Sequence, residues 1–369
     1  MKRILHVVSC LEKGGTEAFI MNCFRNIDRT RFTFDVLVLS RTSSPYEPEI
    51  KQLGGRVIYA NASVSIMKFF KEVRVLSNLM KENGPYDIVH CHMDIANSIV
   101  LTAAKKAGIN KRISHSHNTN FFKGKSFRVL LSKIQQYILL KNATVLCACG
   151  DLAGRDLYGE KASFTIINNG IDVIGFTDIP IQLKNKVRFT LGLKEDDIIF
   201  TNVSRFSKQK NLPFVVDVFS CIIKSMPNSI LIIGGQDGEE KELVLRKIDK
   251  YNISDKVRIV GVRNDMPLIL SISDFAIFPS LNEGLSFALL ENQAAGVNTF
   301  VSTNVSRESD MGLGLMDFLP LEKGAMFWAQ SILGHKRNKV SKDKIFKSFQ
   351  DNGYDIKTSV KKLEALYEQ

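Results

Sequence analysis

PSLNEGLSFALLENQAAG, residues 279–296, places two carboxylates, Glu283 and Glu291, eight positions apart. The preceding apolar run, DFAIFPS, reads as a strand. SFALLENQAA reads as a helix with Ser286 at its N-cap and Gly296 closing it. Strand, glycine loop and helix N-terminus together make the geometry that receives phosphate. Ionised carboxylates accept hydrogen bonds from hydroxyls. A carboxylate on each side of the turn therefore suits a ligand carrying hydroxyls as well as phosphate. The plainer reading is a capped helix with two solvated glutamates.

Upstream in the same half, VSRFSKQKN (203–211) also follows a strand and precedes a helix. Arg205 and Lys210, five apart across the turn, can converge on one phosphate group. Arginine brings a planar fork and lysine a point charge. Two cations, a helix N-terminus and two carboxylates describe a site for a nucleotide-diphosphate sugar.

The surrounding chain alternates short apolar runs with helical patterns. RILHVVS, FDVLVLS, RVIYA, DIVHC, RISHS, TVLCACG and FTIIN read as strands in the first half, and DIIFTNVS, SILIIGG, KVRIVG, DFAIFPS and NTFVS in the second. Several lack strict alternation, as strands buried on both faces do. Helices are expected near 212–225, 238–250, 266–273 and 286–295. Strand–helix alternation implies parallel, doubly wound sheets. At 369 residues the chain exceeds the usual single core, so two such α/β halves in tandem are expected. NNGIDVIGF (168–176) ends the first half, the polar stretch TDIPIQLKNKVRFTLGL follows, and the boundary is expected near there. The tail DIKTSVKKLEALYEQ carries Ile356, Val360, Leu363 and Tyr367 at helical spacing, a stripe that must dock. Sheets of this kind bind ligands at the carboxyl ends of their strands.

The formal charge of +12 is unevenly placed. Residues 1–169 carry 24 Lys+Arg against 13 Asp+Glu, and between Ile95 and Gly150 there are nine basic residues and no acidic one. Such a patch attracts nucleic acid or anionic lipid, or is simply a solvated face. Residues 121–141, FFKGKSFRVLLSKIQQYILLK, mix five cations with apolar residues. Phe127, Leu130, Leu131, Ile134 and Ile138 form an amphipathic pattern. That pattern fits a helix lying on a membrane surface, or a core-facing helix with a basic outer side. No apolar run is long enough to span a bilayer. The opening MKRILHVVSC reads as a first buried strand rather than a signal peptide. The six cysteines form no CxxC pair and fit buried thiols in a reducing compartment. A cytosolic protein is expected.

Gly14-Gly15-Thr16-Glu17 follows the first strand and opens a helix without the spacing of a dinucleotide fingerprint. Its glycines would let backbone N–H groups approach an anion or a sugar. His90 and His92 end one strand, and His115 and His117 the next. HCHMD resembles a metal-hydrolase opening, but no further spaced motif completes it, and no metal site is expected. One neutral imidazole could instead face a substrate. The chain holds no Asp-x-Asp, so a metal bridge to a diphosphate is not expected either.

Together these residues resemble a retaining glycosyltransferase of family 4 with the GT-B fold: two Rossmann-like doubly wound domains facing across a cleft, with a C-terminal helix crossing back to the first. GGTE, His117-Asn118, NNGID, SRFSKQKN and EGLSFALLE all stand in the family's order. HSHNT and GLGLMDFLP (312–320) further resemble bacterial capsular and exopolysaccharide transferases. The resemblance implies an acceptor-binding domain over 1–170 plus a terminal helix at about 354–369, and a nucleotide-sugar-binding domain over 171–353. It implies that Glu283 contacts donor-sugar hydroxyls, Glu291 the ribose, and Arg205 and Lys210 the diphosphate. Backbone at Gly284, Leu285 and Ser286 would add donors, and Gly261 and Val262, in GVRND, would meet the base. His117 would sit beside the anomeric centre. Gly15 would approach the donor phosphate, and Gly14, Gly15, Thr16, His117 and Asn118 the acceptor. Glu283, His117, Arg205 and Lys210 would form the catalytic set.

The implied activity is transfer of a hexose or N-acetylhexosamine from a nucleotide sugar, with UDP expected, to a lipid-linked or growing surface polysaccharide. It would need no cofactor, metal or nucleic acid, and it would act peripherally on the inner membrane face. NNGID lacks the family's usual leading proline, VNTFVS lacks a proline, and GGQDGEE is unusually acidic. The alternatives are a UDP-sugar 2-epimerase of the same fold and a non-enzymatic nucleic-acid-binding α/β protein. Donor conversion without an acceptor would mark the first, and salt-steep nucleic-acid binding the second.

Overall fold

The computed structural model describes the chain apart from residues 13, 41–43, 61, 63, 119–125 and 264, and the side chains of 126–128. The chain divides into two compact units, Met1–Gly170 with Ile356–Gln369, and Ile171–Asp355.

The first unit is a seven-stranded parallel sheet: β1 (Lys2–Val8), β2 (Phe32–Val38), β3 (Val57–Tyr59), β4 (Ile88–Cys91), β5 (Lys111–Ser116), β6 (Val145–Ala148) and β7 (Thr165–Ile166). Their spatial order is β3-β2-β1-β4-β5-β6-β7. The order reverses at β1, as in doubly wound folds. β1 is central and covered on both faces, which is why Ile4 through Val8 are consecutively buried. The helix Ile356–Glu368 completes this unit. It packs on helix Gly15–Asn26 and buries Ile356, Val360, Leu363, Leu366 and Tyr367.

The second unit is a six-stranded parallel sheet in the order β10-β9-β8-β11-β12-β13. It comprises β8 (Ile198–Val203), β9 (Ser229–Gly234), β10 (Val257–Gly261), β11 (Phe275–Phe278), β12 (Asn298–Ser302) and β13 (Met316–Leu319). Phe200, Phe219, Phe300 and Trp328 anchor its core.

Two elements depart from the sequence reading. β13 is an edge strand inside GLGLMDFLP, too short and glycine-punctuated to register as one. The polar stretch after NNGIDVIGF contains a helix, Ile181–Thr190, of which only Val187 is buried; Phe189 is 87% exposed. With a single inward anchor, that helix lacks the apolar stripe that periodicity detects. The cysteines are free thiols, four of them buried. Among the described residues no helix is long and apolar enough to cross a membrane.

The helix Ser126–Asn142 corrects the proposed apolar face. Leu131 and Ile138 are half-buried and Leu139 is buried, whereas Leu130, Ile134 and Tyr137 stand 56%, 44% and 67% exposed. The expected stripe is therefore split between the core and the outer surface. The leading FFKGK and the Phe127 side chain lie outside the described residues.

Candidate active site

In the second unit the two loops singled out in the sequence are tied together. The loop after β8 and the loop after β11 leave neighbouring strands, since β8 pairs with β11. Leu281 N–H donates to the Gln209 carbonyl (2.8 Å), Gln209 Nε2 to the Asn282 carbonyl (2.9 Å) and Asn211 Nδ2 to the Pro279 carbonyl (3.2 Å). Asn211 holds a left-handed backbone, φ 55°, which turns the chain into helix Leu212–Ile222. These bonds bring the Lys210 ammonium onto the Glu283 carboxylate as an ion pair, with only 21% and 10% of the two side chains exposed. Lys210 Nζ also lies 5.4 Å from the Phe278 ring centroid. The Glu283 backbone is fixed in turn, its carbonyl accepting from Ser306 N–H at 3.0 Å. Arg205 leaves the same turn exposed, with no ion-pair partner among the described residues.

Downstream, Gly284 is exposed, and a Cβ there would meet nothing within 4 Å. Ser286 occupies the N-cap of helix Phe287–Ala294, but its hydroxyl makes no capping bond; its own N–H donates to Ser309 Oγ at 3.0 Å. The first-turn N–H groups thus keep the open, positive character of a helix N-terminus. Glu291 lies on that helix, and its carboxyl has no hydrogen-bond partner among the described residues. The residue keeps some surface, yet its carboxyl is enclosed by packed neighbours, and this burial pushes it up to about 7. Gly261 ends β10 with φ 63°, and Val262 beside it is exposed. The adjoining Arg263 and Asp265 form a two-bond pair at 2.7 and 2.6 Å; Asn264 lies outside the described residues.

In the first unit Gly14 and Gly15 open the helix after β1, with Thr16 half-buried. A Cβ on Gly14 would lie 2.4 Å from Glu17 Oε2, so the glycine makes room for a buried glutamate folded back over the turn. His117 and Asn118 follow β5. Asp94 fixes both, accepting from His117 N–H (2.8 Å) and Asn118 Nδ2 (2.7 Å) from a left-handed backbone at φ 50°.

Behind His117 the sheet assembles more histidines than the sequence reading used. His6 pairs with His90 in the β1–β4 register, and Cys91 with Ser114 in the β4–β5 register. Alternate residues of a strand share a face. His6, His90, His92, His115 and His117 therefore converge on one side of the sheet. Their nitrogens form a chain: His117 Nε2 to His92 Nδ1 (2.8 Å), His92 Nε2 to His6 Nδ1 (2.9 Å), His6 Nε2 to Tyr367 Oη (3.4 Å), Tyr367 Oη to His90 Nδ1 (2.8 Å) and His90 Nε2 to His115 Nδ1 (3.1 Å). Burial pushes His6 and His117 down to about 3 and lowers the other three far below the usual range, so all five are neutral.

The β4–β5 register brings the two strand-end histidine pairs, His90 with His92 and His115 with His117, side by side. His6, Asp94 and Tyr367 went unassigned. The HxHxD spacing of HCHMD was the available signal for Asp94.

Comparison with known proteins agrees with this architecture. The family "Glycosyltransferase Family 4" matches residues 13–173, and "Glycosyl transferases group 1" matches residues 183–310. The protein named glycosyltransferase EpsF of Bacillus subtilis (strain 168) is 31% identical over 99% of this chain and 96% of its own length. The UDP-Gal:alpha-D-GlcNAc-diphosphoundecaprenol alpha-1,3-galactosyltransferase of Escherichia coli is 29% identical over 65% of this chain and 63% of its own. The capsular polysaccharide biosynthesis glycosyltransferase CapH of Staphylococcus aureus is 23% identical over 100% and 99%. Among solved structures, Anabaena Alr3699/HepE in complex with UDP and glucose superposes with a TM-score of 0.78 at 16% identity, covering 100% of both chains. Two parallel-sheet Rossmann-like units, the paired loops after β8 and β11, and a full-length relative above 30% identity lead to one conclusion: the chain belongs to glycosyltransferase family 4 and is a glycosyltransferase of the GT-B fold.

Proposed function

We propose that this enzyme transfers a hexose or N-acetylhexosamine, with retention, from a UDP-sugar to a lipid-linked or growing surface polysaccharide, without a metal. The observation that carries the reading is the Lys210–Glu283 pair on two loops pinned to one another. The pair gives the second unit a cation held in place and a carboxylate oriented by it. Arg205, Lys210 and the open N-terminus of helix Phe287–Ala294 hold the donor diphosphate. Charge develops on that diphosphate as the sugar departs, and preorganised cations stabilise it best there. Glu283 accepts from sugar hydroxyls, and Glu291 takes the ribose hydroxyls. Gly284, Leu285 and Ser286 contribute backbone donors, and the Gly261–Val262 turn meets the base. In the first unit His117, a neutral imidazole with one donor and one acceptor nitrogen, serves the reacting sugar and acceptor together with Gly14, Gly15, Thr16 and Asn118.

The names of relatives support the donor and acceptor classes. The Escherichia coli relative is named for UDP-galactose and a diphosphoundecaprenol-linked sugar, and the Staphylococcus aureus one for capsular polysaccharide. The membrane part of the reading rests on the first unit's surface. Helices Phe69–Asn83, Asn97–Lys106 and Ser126–Asn142 pack in one layer. Helix Phe69–Asn83 with the turn Ile66–Lys68 before it exposes Met67, Phe70, Lys68 and Lys71, and helix Ser126–Asn142 exposes Leu130, Ile134, Tyr137, Leu140, Lys133 and Lys141. Apolar tips among lysines suit the interface of an anionic bilayer. The test is incubation of the purified enzyme with UDP-, GDP- and ADP-sugars and a polyprenyl-diphosphate sugar acceptor. Product from a UDP-sugar that requires the acceptor and persists in chelator supports the reading. Donor conversion without any acceptor would replace it with epimerisation.

A further inference from the structure

The histidine chain cannot be satisfied by itself. It has six members, five imidazoles and one phenol, joined by five links. Each neutral member brings one hydrogen. Among the described residues, His115 Nε2 is left buried without a partner. If the hydrogens run toward His117, that nitrogen is a bare lone pair; if they run the other way, it is a bare N–H. Either costs free energy in a dehydrated setting. One ring nitrogen from each of His92, His115 and His117 lies within 4.8 Å of the other two.

We propose that His92, His115 and His117 form a three-histidine site for a divalent transition metal of the Zn²⁺ class, and that its occupation blocks transfer. The chemistry fits the donor set. Neutral imidazoles are the ligands such metals take, commonly three with an open fourth position for water. Bonds of 2.0–2.1 Å at tetrahedral angles place ligand nitrogens about 3.3 Å apart. His92 Nδ1 and His117 Nε2 stand at 2.8 Å. Opening them by about half an ångström falls to His117, the one member of the three that keeps some surface.

For two of the three, His92 and His115, the rest of the chain then becomes the support that metal-bound histidines require, taking the hydrogen of the other ring nitrogen. His115 Nδ1–H donates to His90 and His92 Nε2–H to His6, and both of these turn to Tyr367. The unpartnered His115 nitrogen gains its ligand. Asp94, whose carboxylate accepts from the His117 N–H at 2.8 Å, is an acid beside the site that could offset the added charge. A metal on His117 removes that imidazole from the reacting sugar; this inhibitory half rests on the proposed function.

The test uses metal-free, tag-free full-length protein titrated with Co²⁺ and then Zn²⁺. Expected are one Co²⁺ per chain, visible d–d bands of a low-coordinate nitrogen site, and their loss as Zn²⁺ displaces it. His115→Phe and His117→Ala should each weaken Co²⁺ binding by about tenfold or more. His335→Ala, in the second unit, should leave binding unchanged. His117→Ala, at the end that keeps some surface, keeps the test valid if His115→Phe does not fold. No saturable Co²⁺ binding, or binding that survives both cluster variants, overturns the site. Zn²⁺ bound at one per chain with an unchanged transfer rate overturns the inhibitory half. Absence of any transfer by the metal-free enzyme counts against the proposed function and leaves the binding result standing.

Discussion

The Lys210 ammonium meets the Glu283 carboxylate although 73 residues separate them, because the loops after β8 and β11 leave adjacent parallel strands and share backbone bonds. Each residue holds the other, so each variant has two effects: a missing contact and a misplaced partner. Lys210→Ala and Glu283→Ala should each lower kcat by about 10²–10³, the usual loss when one preorganised charge-stabilising group is removed. The double variant should fall by far less than the product, since the two share one contact. Near-normal kcat in either single variant, with an unchanged circular dichroism spectrum, would sink the assignment.

Glu291 gives a pH prediction of definite sign. Its carboxyl is raised from 4.5 to about 7 by burial, so the folded state binds its proton more tightly than the unfolded state. The associated stability is fully present below about pH 4.5 and is lost as pH rises through about 7. At about 1.4 kcal/mol for each pH unit between the two values, the upper figure is on the order of 3 kcal/mol. Glu291→Gln, uncharged throughout, should be more resistant to urea than the parent at pH 8 and similar to it at pH 4.5. Background titrations cancel in the comparison. A gap between the two proteins that does not widen with pH would contradict this.

Gly235 sets the approach of the β9 loop to the Arg205 turn. Its φ is 144°, and a Cβ there would lie 2.0 Å from the Ser204 carbonyl oxygen. Gly235→Ala must therefore push the turn carrying Arg205 and Lys210 away from the sheet. The expected result is a folded, less stable enzyme with donor KM raised and kcat lowered together. Unaltered donor kinetics would show that the turn is not positioned this way.

Tyr367 fastens the terminal helix to the histidines of the first sheet. Tyr367→Phe keeps the ring but removes the partner of His90 Nδ1 and His6 Nε2. It should cost about 1–3 kcal/mol, the range for leaving a buried polar group unpaired. Leu363→Ala, which empties a buried position on the same helix, should cost about 2–5 kcal/mol. Equilibrium denaturation reads both values.

The outward residues of helix Ser126–Asn142 carry the membrane prediction. The triple change Leu130→Ser, Ile134→Ser and Tyr137→Ser removes exposed apolar area without touching the buried face of the helix. Partition onto vesicles rich in anionic lipid should fall by about tenfold or more, from the apolar surface no longer buried in the interface. Folding and turnover on a soluble acceptor should persist. Equal co-sedimentation of parent and variant would remove this helix from the docking surface.

The two parallel sheets were legible in the sequence because strands buried on both faces leave continuous apolar runs, and twelve of these became the observed strands. The candidate loops were legible for a related reason. In such sheets ligand groups sit just after strands, so the loops carrying Arg205, Lys210 and Glu283 could be singled out by position. What the sequence by itself determined, then, was the alternation that forces the fold and the loops that hold the candidate residues. The tertiary structure decided which of those groups touch. Lys210 and Glu283 meet only because β8 and β11 are neighbours. His6 and Tyr367, 361 residues apart, join one buried chain only because the last helix packs on the first unit. No local pattern encodes such distant contacts, because they follow from strand order and register. Strand order and register are in turn fixed by how the whole apolar surface is buried.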